Sequence, residues 1–101
     1  MPKYFYPAVF DPNENGGYTV TFPDLPGCVT EGDTLDEALQ MAAEAMALHL
    51  YGLGRDGDQI PAPSKPAHVC IPRDASSDAF VTLVAARTEP ARAHIERSWF
   101  L

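Results

Sequence analysis

The sequence predicts a two-layer α+β domain with a mostly antiparallel sheet, in the order β-β-β-α-β, followed by a short C-terminal helix. Three observations carry this. Residues 3–31 hold short aromatic and β-branched segments separated by Gly- and Pro-containing turns. A long Ala-, Leu- and Met-rich segment with helical spacing comes next. A nearly continuous apolar run, Phe80–Ala86, follows it. At 101 residues the chain is one small domain with room for a single core.

The elements read in order as follows. Lys3–Phe10 is aromatic and β-rich, and Pro7, which has no N–H, predicts a free strand edge at that point. Asp11–Gly17 is a turn of the Asn-Gly type. In Tyr18–Phe22, Tyr18, Val20 and Phe22 share one face and Thr19 and Thr21 the other, so this segment closes a hairpin with the first strand. Pro26 and Gly27 suit the centre of a type II turn, where proline presets φ and glycine supplies φ > 0. Cys28–Glu31 is a short third strand, ended by Gly32 and Asp33.

Thr34-Leu35-Asp36-Glu37 has the form of a capping box. Asp36 and Glu37 also suit the positive end of the helix dipole. The helix is expected to run to about Gly52, with Leu35, Leu39, Ala42, Met46 and Leu50 on its apolar face and Gly52 and Gly54 as its stop. Arg55–Pro66 reads as a connection and His68–Ile71 as a brief strand. Phe80–Ala86 is expected to be a central strand. Thr88-Glu89-Pro90 opens a last helix that sets Ala91, Ile95 and Trp99 on one face.

Charge divides the chain. Seven basic residues against fourteen acidic ones give a net charge of −7. Residues 1–70 hold Lys3, Arg55 and Lys65 against ten acids, whereas residues 71–101 hold four of each. An acidic domain repels phosphate backbones and favours basic partners, so direct nucleic-acid binding by the first 70 residues is not expected. No run of 18 apolar residues exists, so no membrane association is expected. The first residues lack the apolar core and cleavage site of a secretory signal. Two cysteines make no disulfide framework, and a reducing cytoplasm is the expected setting.

Catalytic and metal chemistry find little support. His49, His68, His94, Cys28 and Cys70 lack ligand spacing, so neither a metal nor a cofactor is expected. His68 and Cys70 share a strand face as a half-site at most, and a small buried cysteine beside a partly exposed histidine is the better reading. Cys28 has no basic neighbour in sequence, and Glu31 and Asp33 disfavour a thiolate there. Asp11, Asp24, Glu31, Asp33, Asp36 and Glu37 are candidates to hold magnesium for a nuclease reaction, but the first strand carries no acid at its centre. Caps, turns and a solvated face explain them better. No phosphate-cradling glycine loop is present, and the hairpin aromatics lack interleaved basic residues.

The series Gly16-Gly17-Tyr18-Thr19-Val20-Thr21-Phe22-Pro23-Asp24-Leu25-Pro26-Gly27-Cys28, continuing through the capped helix to Ala38, resembles the HicB antitoxin family. The likeness extends through Ala43 and Ala45, the Ile60-Pro61-x-Pro63-Ser64 connection and the Phe80–Val84 strand, covering roughly residues 3–86. The resemblance implies a partial ribonuclease-H-like fold without catalysis. It also implies that the chain binds and masks a HicA toxin, a small basic ribonuclease. On this reading residues 1–86 form the antitoxin domain and residues 87–101 a helical tail. Full-length relatives continue into a DNA-binding module about where Leu101 stands, so operator binding by this chain is not expected.

The candidate toxin-binding residues are Glu31, Asp33, Asp36, Glu37 and Glu44, around the start of the helix. Ile95, Trp99, Phe100 and Leu101 are candidates for self-association into a homodimer or higher homo-oligomer. The competing reading is a degenerate ribonuclease-H-like domain that still acts on nucleic acid. The apolar first strand and the negative charge favour the antitoxin.

Overall fold

The structure is a computed structural model and describes residues 3–88. Its elements are β1 (Lys3–Pro12), β2 (Tyr18–Thr21), β3 (Val29–Gly32), α1 (Leu35–Arg55) and β4 (Phe80–Arg87). One 3-10 turn, Pro66–His68, interrupts the connection between α1 and β4. The sheet runs β3-β2-β1-β4 with every neighbouring pair antiparallel. α1 covers one face of it. The expected C-terminal helix, with Ile95, Trp99, Phe100 and Leu101, lies outside the described residues.

Register fixes which face meets the helix. Phe10 lies opposite Val20, and Tyr6 opposite Val84. Because strand side chains alternate, Tyr6, Ala8, Phe10, Val20 and Val84 share one face. They pack with Ala38, Ala42, Met46 and Leu50 of α1, together with Phe22, Leu25 and Cys28, as one buried core. Phe80 stacks on Phe10 with ring centroids 5.3 Å apart, and Tyr18 meets the same Phe80 ring edge-on. Cross-strand aromatic packing therefore ties the hairpin to β4.

The turns follow their sequence chemistry. Gly16 has φ 89° and closes the first hairpin, where its amide donates to the Asn13 carbonyl at 3.1 Å. Gly27 has φ 87° in the Leu25–Cys28 turn, closed by the Cys28 amide on the Leu25 carbonyl at 2.9 Å. At the start of α1 the Thr34 hydroxyl accepts from the Glu37 amide at 3.1 Å, which is one arm of the expected capping box.

Five expectations are corrected. α1 does not stop at Gly52 or Gly54 but runs to Arg55. Gly57, with φ 75°, ends it instead: its amide donates to Gly54, and the Asp58 amide donates to Leu53. Those paired bonds satisfy the last carbonyls, so an earlier glycine need not break the helix. Leu35 and Leu39 are exposed, because the helix seats its smaller residues, Ala38 and Ala42, against the sheet. His68–Ile71 is no strand; Pro66 starts a 3-10 turn there, and Cys70 is exposed.

β4 is an edge strand among the described residues and not a central one, since β1 takes the place between β2 and β4. Pro7 does sit where β1 has no β2 partner, because that pairing covers only Val9–Pro12. Yet Pro7 is fully buried, so the gap in the ladder is no open edge.

Candidate functional site

Two regions of the described surface have the composition of sites: the outer side of α1, and the junction between the β2–β3 turn and the connection that follows α1.

The junction is held by polar bonds. Asp24 accepts from the Ser64 amide at 2.7 Å and from the Ser64 hydroxyl at 2.6 Å. The Tyr6 hydroxyl donates to the Pro61 carbonyl. Burial pushes the Tyr6 hydroxyl above its ordinary value, and the neighbouring Tyr4 and Asp24 push the same way. The Asp24-Leu25-Pro26-Gly27-Cys28 turn and the Ile60–Ser64 connection, forty residues apart for Asp24 and Ser64, are thus one structural unit. Asp11 plays a similar part on the outer sheet face, where it accepts from the Ser76 amide at 2.9 Å. Both acids are committed to anchoring loops. Cys28 is buried, and burial pushes its thiol up to about 11, so it is a core thiol and not a nucleophile at neutral pH. Among the described residues no three His, Cys, Asp or Glu side chains gather to hold a metal.

The outer side of α1 is different. Glu37, Met41, Glu44 and Leu48 stand at i, i+4, i+7 and i+11, which is one stripe on a helix of 3.6 residues per turn. All four are exposed, Met41 at 38% and Leu48 at 39%. Apolar side chains between carboxylates on a helix face match a protein-docking surface, where an apolar centre sits inside a charged rim. Leu35 and Leu39 add two further exposed leucines along the N-terminal half of the same helix.

The five acids expected to bind a partner are all exposed, but they do not share one face. Glu37 and Glu44 lie on the stripe. Asp36 is one position earlier, hence about 100° around the helix axis. Asp33 lies in the loop before the helix. Glu31 lies opposite Thr19 in register and so belongs to the sheet face away from α1. Met41 and Leu48 do not stand out in the sequence as site residues. The signal was there as a second apolar line beside the core stripe, but helical periodicity alone assigns apolar residues to a core.

The comparisons decide the family. The sequence pattern of the HicB-like antitoxins of bacterial toxin–antitoxin systems matches residues 6–98. The chain belongs to the HicB-like antitoxin family. It is 45% identical over 58 residues to Antitoxin HicB 1 of Photorhabdus laumondii, covering 57% of this chain and 37% of that protein. The chain thus spans well under half the length of that relative. Its fold matches a chain of the HicA3 and HicB3 toxin–antitoxin complex with a TM-score of 0.67 at 27% identity, covering 83% of this chain and 99% of that one. It also matches the N-terminal domain of the Burkholderia pseudomallei antitoxin HicB, with a TM-score of 0.64 at 26% identity, over 80% of this chain and 95% of that one. Asp24 and Ser64, which hold the junction described above, both lie within the matched residues. None of the described helices is long and apolar enough to cross a membrane.

Proposed function

We propose that this chain is an antitoxin module that binds a small basic ribonuclease of the HicA type and blocks its access to RNA, using the outer stripe of α1. Membership of the HicB-like family carries the partner class. The likeness to a chain from a HicA3–HicB3 complex supports it. The stripe Glu37-Met41-Glu44-Leu48 supports the choice of face. Its carboxylates attract a basic partner, while Met41 and Leu48 supply area to bury once it has docked. A net charge of −7 steers such a partner and keeps RNA off. On this reading the chain works by occupation and not by catalysis, takes no metal or cofactor, and acts in the cytoplasm. Asp33 and Asp36 contribute long-range field at the start of the helix, and Glu31 contributes least, being on the opposite sheet face.

The test is inhibition. RNA cleavage by the cognate HicA-type toxin is measured while this protein is titrated in. Loss of cleavage at a stoichiometric ratio is expected. Full cleavage in the presence of excess folded protein would refute the proposal.

A further inference from the structure

We propose that Gly52 is a specificity-determining residue of the α1 docking face, a notch that lets the main chain of the bound partner come onto the helix backbone beyond Leu48. The inference rests on the reading of α1 as the docking face for a basic HicA-type toxin. It lengthens that face by one helical turn and assigns the part of the partner that lies there.

Gly52 is a glycine that the fold does not need. The chain has seven glycines. Gly16, Gly27 and Gly57 have positive φ. At Gly17 and Gly32 a Cβ would run into the main chain of another segment, at 2.8 Å for Gly17. Gly52 and Gly54 have neither reason. Both lie inside α1, and beyond the adjacent residues and the helix's own backbone a Cβ on either meets nothing within 4 Å. Alanine fits at both positions and favours the helix, because glycine is the weakest helix former after proline. Glycine on this open surface therefore weakens the free protein without serving its packing. What it does serve is close approach, since no Cβ holds off an incoming chain.

Helical geometry separates the two glycines. Leu48 and Gly52 are i and i+4, so Gly52 continues the line of Glu37, Met41, Glu44 and Leu48 by one turn. Arg55, i+7 from Leu48 and exposed, closes the line. Gly54 stands about 200° around the axis from Gly52, off this line. Between Leu48 and Arg55 the docking face thus dips to bare backbone. A bulky side chain needs a pocket walled on several sides, which a single missing Cβ does not make. The dip suits a crossing strand or loop of the partner, seated main chain to main chain. Such a segment also shuts water out from around Leu48, where the apolar contact is made.

Stability and binding to the cognate HicA-type toxin are read on the full chain. Gly52→Ala and Gly54→Ala are each expected to raise the melting temperature of the free protein by about 4–8 °C, the gain of alanine inside a helix. Gly52→Leu is expected to speed dissociation of the complex by about tenfold or more, the effect of overpacking a fitted contact, with Gly52→Ala in between. Gly54→Leu should dissociate like the wild type. Circular dichroism confirms that each variant is folded. Glu37→Lys with Glu44→Lys is measured alongside. If that reversal slows association but Gly52→Leu dissociates like the wild type, the docking face stands and the notch is refuted. Equal acceleration by Gly54→Leu and Gly52→Leu places the effect in the helix end and refutes the notch as well. If neither the reversal nor Gly52→Leu alters the kinetics, the toxin docks elsewhere and both readings fall.

Discussion

Gly32 lies where β3 meets the first turns of α1. A Cβ there would meet the backbone of Ala38 and, at 2.9 Å, the carbonyl carbon of Glu37. Both obstacles are main chain, so the helix itself would have to shift. Gly32→Ala is therefore expected to cost about 1–3 kcal/mol, the range of an overpacked core, read as a lower urea midpoint at unchanged slope. Thr34→Ala, which removes only one capping bond, should cost about 1 kcal/mol. Equal midpoints for Gly32→Ala and wild type would show that the helix does not pack this closely. Cys28 makes a second prediction. Its folded pKa, about 11, lies above the ordinary 9.0, so above pH 9 the unfolded chain loses a proton that the native state keeps. Stability is then full below pH 9 and falls as pH rises toward 11. At pH 8 iodoacetamide should modify the exposed Cys70 rapidly and Cys28 only at the rate of unfolding. Two equally fast thiols would contradict the buried placement.

At the scale of elements, the Asp24–Ser64 junction joins the β2–β3 turn to the connection after α1. Asp24→Ala and Ser64→Ala are expected to be non-additive in a double-mutant cycle, with a coupling of roughly 1 kcal/mol, because each removes a bond the other shares. Additive effects would show that the bonds do not hold in solution. This junction was not legible in the sequence: Asp24 and Ser64 each sit in a turn-rich stretch, and nothing local pairs two loops forty residues apart. The order of three strands, helix and strand was legible, because each element carries its own periodicity or cap. The place of β4 was not. An apolar run such as Phe80–Ala86 signals burial on both faces, and an edge strand that carries such a run reads the same way. The end of α1 at Arg55 was not legible for a related reason. Gly52 and Gly54 are tolerated inside a helix packed by Leu50 and Leu53, whereas Gly57 alone supplies the positive φ of a stop. Of the candidate site, the acids of the helix start were legible as charge. Their division between two faces required the register that places Glu31 opposite Thr19.

At the scale of the whole molecule, a single helix stacked on one face of a four-stranded sheet leaves the outer side of α1 exposed. The stripe on α1 is charged and apolar together, which suits a basic protein met by diffusion. Charge on the stripe should act mainly on the rate of encounter, since rim carboxylates steer a partner before contact, while Met41 and Leu48 should govern how long it stays. Met41→Ala with Leu48→Ala is thus expected to speed dissociation with little change in association. The most direct measurement is the association rate with the cognate HicA-type toxin at low and high salt, for wild type, for Glu37→Lys with Glu44→Lys, and for Glu31→Lys. If α1 is the docking face, the double reversal slows association several-fold at low salt and flattens its salt dependence, and Glu31→Lys changes it far less. Equal association rates for wild type and the double reversal at low salt would contradict docking on α1.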